Sequence, residues 1–151
     1  MSQVSSNIKI DSPAPALASQ DVQRYYDFLQ PAFHRSGYEY EPEHFDEDLL
    51  SGNVLLVRIW NGDVMLGLAA VRTREVKGVR DLFVLALVGE EAELWAERFS
   101  EVCDKLAGET ECGSISMVAR PGLKKYVQWQ GYKVQQIIYR KDLKRSNGDG
   151  R

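Results

Sequence analysis

No apolar run in this sequence approaches the roughly 20 residues a helix needs to cross a bilayer, which excludes a helical membrane span. The opening residues, MSQVSSNIKIDSPAPALASQ, lack the apolar centre of a secretory signal. Cysteine is scarce. Cys103 and Cys112 are the only two, without the CxxC spacing of a metal or redox motif. Their spacing leaves a disulfide open, but two thiols in a reducing compartment suit so low a count better. The only histidines, His34 and His44, stand without a third ligand at metal-binding spacing, so no metal is expected. Basic residues do not predominate either: 19 Lys and Arg against 22 Asp and Glu give a formal charge of −3 and a pI near 5.5. That balance argues against a nucleic-acid partner. These absences together predict a cytoplasmic protein with neither a membrane nor a nucleic acid as its partner.

What is present is enough chain for one domain: 151 residues, 44% of them hydrophobic. Residues 1–19, carrying Pro13 and Pro15 among Ser and Ala, read as a flexible N-terminal tail. Residues 145–151, RSNGDGR, read as a C-terminal one. The domain is expected over 20–144.

Within it, Ser19 can cap a helix that places Val22, Tyr25, Tyr26 and Leu29 on one side, and Pro31 should end or restart it. Pro42 suits the first turn of a second helix, closed at Ser51-Gly52. Val54–Trp60 reads as a strand, Asn61-Gly62-Asp63 as a tight hairpin, and VMLGLAAVRT as the return strand. A turn near Lys77-Gly78 leads to a third strand, Val79–Gly89. Its run FVLALV is continuously apolar, as in a strand covered on both faces. The clearest helical periodicity follows, from Glu91 to Ala107, with Trp95, Phe99, Val102, Cys103 and Leu106 on one stripe. The strand SISMVAR, a Pro121-Gly122 break, a short helix, Gly131-Tyr132 and a last strand complete the order. A meander of antiparallel strands followed by helix crossovers predicts an α/β (α+β) mixed sheet with helices on both faces.

This order resembles the GNAT superfamily of N-acetyltransferases over about Val22 to Leu143. Its most specific piece is ARPG, a short helix, GY, a strand and KDL near the C-terminus. That piece is similar to the end of small GNAT-like proteins encoded by bacteriophages. The resemblance implies a phage-encoded protein working in the host cytoplasm or within a virion. It also implies a coenzyme, acetyl-CoA, held where two strands part, with its pyrophosphate on the N-terminus of the long helix.

Carried onto this chain, the coenzyme loop falls at Val88, Gly89, Glu90 and Ala92. The family's glycine-rich loop is reduced there to Gly89, with no Arg or Gln before it. Glu90, Glu91 and Glu93 bring negative charge to a phosphate site, at about 3 kcal/mol for each contact near 5 Å in a medium of dielectric about 20. Acidic residues in a first helical turn also satisfy the helix dipole without any ligand. The family's tyrosine acid would fall at Val127. Tyr126 is its neighbour, about 100° around the helix, and is the candidate catalytic acid. Asp81, the acid of the third strand, is the candidate base.

The acidic run of Glu39, Glu41, Glu43, Asp46, Glu47 and Asp48 lies where the family's acceptor-binding helices lie. It suits a basic acceptor, or simply a solvated helix face. Against the basic C-terminal part, it makes a charge asymmetry usable for docking to a protein partner or a second copy. Two functions follow as expectations. One is a GNAT-fold interaction or structural module that has lost its coenzyme and uses no cofactor. The other is an active acetyl-CoA-dependent N-acetyltransferase acting on a small amine or a protein lysine.

Overall fold

A computed structural model describes residues 7–36 and 40–118. Strand β1 (Ile8–Asp11) is followed by helices α1 (Pro15–Gln20), α2 (Val22–Ser36) and α3 (Pro42–Ser51). Strands β2 (Leu55–Asn61), β3 (Val64–Val76) and β4 (Val79–Gly89) come next, then helix α4 (Ala96–Glu109) and strand β5 (Ser114–Met117). The strands form one sheet in sequence order, antiparallel from β1 to β4 and parallel between β4 and β5. A parallel pair needs a crossover, and α4 supplies it.

Two apolar layers cover the sheet. On one side α4 brings Trp95, Phe99, Cys103 and Ala107 against Val57, Ile59, Val71, Val84 and Leu87. On the other, α1 to α3 bring Ala18, Tyr25, Leu29, Phe33, Phe45 and Leu49 against Leu56, Leu68, Leu85 and Ala86. Coverage on both faces explains the unbroken run in β4: Leu82 and Val84–Leu87 are all buried. The stripe read from α4 is likewise the buried one, with Val102 and Leu106 half-buried at its edge. Both cysteines are free thiols, and burial pushes Cys103 up to about 12.

Two turns match their sequence signals. Asn61 and Val64 pair across Gly62-Asp63, and Val76 and Val79 pair across Lys77-Gly78. Lys77 and Gly78 both have positive φ, 53° and 81°, which is the two-residue turn whose twist suits a hairpin. β4 carries one extra residue: Ala70 faces Ala86 and Val71 faces Val84, so Leu85 is bulged. Leu85 and Ala86 therefore point to the same apolar layer. The β4–β5 ladder ends beside this bulge, at Val84 and Met117, with the Val118 N–H donating to the Val84 carbonyl.

Three local expectations need correcting. The tail does not extend to residue 19, because Ile8–Asp11 pairs with β2 and both Ile8 and Ala18 are buried. Alternation in IKID and a small apolar turn sufficed to order a stretch whose composition alone suggested none. Ser19 does not cap α2. It lies in α1, and its hydroxyl donates to Asp46 of α3. Pro31 does not break α2, which runs through it from Val22 to Ser36. A proline removes one ladder bond from a helix, and here burial of Leu29, Ala32 and Phe33 around it outweighs that loss. The short helix after Pro121, the last strand and the C-terminal tail lie outside the described residues.

The β1 strand is fixed by charge as well as by its ladder. Arg58 Nε and Nη2 donate to the two Asp11 oxygens, each at 2.8 Å, Trp60 donates to Oδ1 at 3.2 Å, and Arg58 Nη1 donates to the Tyr25 hydroxyl at 3.0 Å. Partial burial would raise the Asp11 carboxyl, but the Arg58 and Trp60 hydrogen bonds and the Arg58 charge outweigh it. They hold the carboxyl below its ordinary 3.8. A depressed acid stabilises the fold above its unfolded value and ceases to do so as pH falls through the folded one. Asp11 is 40% exposed, so the pair contributes about 1 kcal/mol at most. Asp11→Asn should lower stability by up to that amount at pH 7. In urea titrations run at a series of pH values, the gap to the parent protein should close below pH 3.8. A gap that keeps its neutral-pH size well below pH 3.8 would contradict the charge-based account.

Candidate functional site

The end of β4 and the start of α4 are where the coenzyme loop was expected. The helix does not begin at Glu91. Glu91 adopts a left-handed conformation (φ 57°), Ala92–Leu94 forms one 3₁₀ turn, and Trp95 at φ −135° separates that turn from α4. Three backbone N–H groups here are bonded within the protein. The Glu90 N–H donates to the Leu66 carbonyl at 3.0 Å, Leu94 to Glu91 at 2.9 Å and Trp95 to Ala92 at 3.0 Å.

Trp95 decides the shape of the place. Its side chain is buried at 1% exposure, and its indole N–H donates to the Glu90 carbonyl at 2.7 Å. The ring lies directly over Gly89: a Cβ there would stand 2.7 Å from Trp95 Cζ2 and 3.2 Å from the Gly67 Cα. Gly89 is thus required by packing within the chain. The space its missing side chain leaves is filled by the indole, and in a phosphate loop it would admit a ligand.

Each of the four coenzyme-loop residues can now be placed. Val88 is half-buried at the end of β4, packed toward the α2–α3 layer. Gly89 lies beneath the indole, and the Glu90 carbonyl accepts the indole N–H. Ala92 is buried in the α4 layer at 5% exposure. Glu90, Glu91, Glu93 and Glu97 are exposed around the start of α4. The one cation of that turn, Arg98, donates through Nη1 to the Ile8 carbonyl of β1. A pyrophosphate would meet exposed carboxylates and an indole seated over Gly89, with the nearby cation turned to β1. The residues present do not fit it.

Asp81 stands at the opposite end of β4, eight residues from Gly89, or about 26 Å along a strand. It is 1% exposed, and both its oxygens are engaged. Arg74 Nε donates to Oδ2 at 2.9 Å, and the Ser114 and Ser116 hydroxyls donate to Oδ1 at 2.7 and 3.1 Å. These donors come from β3 and β5, so the carboxylate fastens three adjacent strands together. Buried and bonded through both oxygens, it offers no oxygen to solvent. Tyr126, the candidate acid, lies outside the described residues, as does Glu39 of the acidic run.

The acidic stretch is α3 and its entry. Asp48 accepts the Tyr40 hydroxyl and Asp46 accepts Ser19, so two of its carboxylates hold the helices together. Glu41, Glu43 and Glu47 are exposed. The aromatic rings of Tyr26, Phe33, Tyr40 and Phe45 pack beneath them at centroid distances of 5.3–6.0 Å. Sequence reasoning recognised Trp95 as a core residue but missed its second contact, with Gly89. The pairing of one glycine with a tryptophan six residues later was the available signal. Among the described residues no group of three or more His, Cys, Asp or Glu could hold a metal, and no helix is long and apolar enough to cross a membrane.

The antiparallel meander, the helical crossover and the parallel β5 make a mixed sheet with helices whose fold matches that of GNAT acetyltransferases. Solved structures agree. A Clostridium acetobutylicum protein described as a predicted acetyltransferase, solved with acetyl-CoA, matches with a TM-score of 0.67 at 10% identity, over 88% of this chain and 96% of that one. An aminoglycoside acetyltransferase from an uncultured soil metagenomic sample, solved with sisomicin, matches at 0.62 and 11%, over 94% and 100%. A GNAT family acetyltransferase of Staphylococcus aureus matches at 0.56 and 14%, over 91% and 99%. No protein-family model matches the sequence, and no curated protein does. At these identities the likeness concerns the fold, and function has to be argued from the site.

Proposed function

We propose that this GNAT-fold protein has lost acetyl-CoA binding at the start of α4 and acts as an interaction or structural module. The observation that carries the reading is the Trp95 indole seated over Gly89, bonded to the Glu90 carbonyl and ringed by exposed glutamates. Asp81, with both oxygens engaged far from that place, supports it from the other end of the strand. The phage-encoded and virion-associated setting belongs to the proposal through the resemblance of residues 119–143 alone, which lie outside the described residues.

The competing reading is an acetyl-CoA-dependent N-acetyltransferase acting on a small amine or a protein lysine. The β4 bulge at Leu85, beside the end of the β5 ladder, favours it, because that is where two strands can part.

Calorimetric titration with acetyl-CoA separates the two. A ligand at 100 times its dissociation constant adds about 2.7 kcal/mol, so about 1 mM coenzyme would visibly raise the melting temperature if that constant were about 10 μM. The expected result is neither heat nor shift. A clear shift, with coenzyme-dependent acetylation that Tyr126→Phe abolishes, would establish the enzyme instead. In that case Glu90→Gln and Glu91→Gln should each tighten binding, by removing repulsion at nearly constant shape.

A further inference from the structure

The long β3–β4 hairpin outruns the rest of its sheet. β2 begins at Leu55, opposite Val71, while β3 continues to Val76 with β4 on its other side. Residues 72–76 of β3 therefore present an open edge among the described residues. Beside that edge, on the α4 side, lies a cavity of about 410 Å³. Val71, Leu82 and Leu106 give it an apolar floor, and Asn53, Arg72 and Arg80 stand at its margin. It opens where α4 ends and β2 has not begun.

We propose that this edge and cavity take an extended acidic peptide segment of a partner protein, added to the sheet as a strand beside β3. Strand addition needs unpaired main-chain groups in a row and a pocket for alternate side chains, and both are here. A strand laid along residues 72–76 would turn every second side chain toward the α4 layer, into the apolar-floored cavity. Charge selects the occupant. Arg72 and Arg80 have no ion-pair partner among the described residues. Arg74 is already paired with Asp81. Setting that pair aside, the hairpin carries three cations, Arg72, Lys77 and Arg80, against one carboxylate, Glu75. Asp48, also at the cavity, is held by the Tyr40 hydroxyl. This surface lies far along β4 from Gly89. It extends the interaction-module reading, yet it is tested without the coenzyme, so either idea can fail alone.

Charged residues on a sheet edge also serve simply to prevent unwanted pairing, and the experiment distinguishes that role. The probe is a fluorescent heptapeptide of alternating glutamate and valine, titrated with the full chain by anisotropy. It should bind at least tenfold more tightly than the same peptide with lysine for glutamate. Arg72→Glu with Arg80→Glu should weaken it at least tenfold; both residues are exposed, so the fold should survive, and circular dichroism checks this. Backbone N-methylation of alternate peptide residues should abolish binding in one register and spare it in the other, because an edge strand uses only every second N–H. Amide shifts on binding should concentrate at residues 72–76 and Asn53. Three outcomes would each overturn the proposal: no binding of the acidic peptide at millimolar concentration, equal binding of both N-methylated peptides, or a dimer of the chain that the same two substitutions dissociate.

Discussion

Trp95→Ala should lower the unfolding free energy by about 3–5 kcal/mol, the range for removing a large aromatic side chain from a core. The ring is 1% exposed, packs edge-on against Phe99 at 6.0 Å between centroids, and covers Gly89. Its loss empties the junction between β4 and α4. Trp95→Phe should cost less, leaving the Glu90 carbonyl without its indole donor, at about 1–3 kcal/mol. Gly89→Ala should cost about 1–3 kcal/mol by overpacking, since its Cβ would stand 2.7 Å from the indole. Combined with Trp95→Phe, which lacks that part of the ring, the loss should be smaller than the sum, because the two residues share one contact. Urea unfolding measures all four variants. A loss below about 1 kcal/mol for Trp95→Ala would mean the indole does not hold this junction. The alanine variant also probes the cradle. With the ring gone the glutamates remain, so acetyl-CoA should still fail to bind; binding regained would place the whole obstruction on the indole.

The parts of this fold that could be read from sequence are those where local pattern and tertiary role coincide. The α4 stripe, the apolar β4 run and the two hairpin turns each satisfy local preference and burial together. Pro42 and Gly52 likewise bound α3 as their backbone preferences suggest. The failures arose where a long-range contact overrides local preference. Ile8–Asp11 is too short and polar to announce a strand, and its order depends on Arg58, 47 residues beyond Asp11. Ser19 has a capping residue's chemistry, but Asp46 of a different helix takes its hydrogen bond. The candidate site was legible as a deficit of glycines and an excess of glutamates. The indole filling it was not, because the periodicity that marks Trp95 as core says nothing of which backbone lies beneath. Asp81 shows the same limit: alternation gives its position on the strand, while Arg74, Ser114 and Ser116 determine what it does.

Arg74→Met offers the second large effect and bears directly on Asp81. Methionine keeps the apolar stem that packs beside Phe83, over which the Arg74 guanidinium now lies at 3.7 Å. It removes the charge, leaving a carboxylate 1% exposed with two serine hydroxyls as its remaining donors. Breaking a buried pair from the cationic side strands the less hydrated partner, at about 3–5 kcal/mol. The reverse change is milder. Asp81→Asn keeps the volume, and Arg74, 35% exposed, can turn its charge to water. That should cost about 1–3 kcal/mol, mostly through hydroxyls that lose an anionic acceptor. The double variant should lose less than the sum, since a neutral amide in place of the Asp81 carboxylate leaves no buried charge to be stranded when the guanidinium is removed. Such a cycle identifies an anion that fastens β3, β4 and β5. A general base would give the opposite pattern: Arg74→Met losing under about 1 kcal/mol, as exposed pairs do, and Asp81→Asn leaving stability intact while abolishing coenzyme-dependent acetylation. That result would restore Asp81 to the chemistry and the chain to the enzymes whose fold it shares.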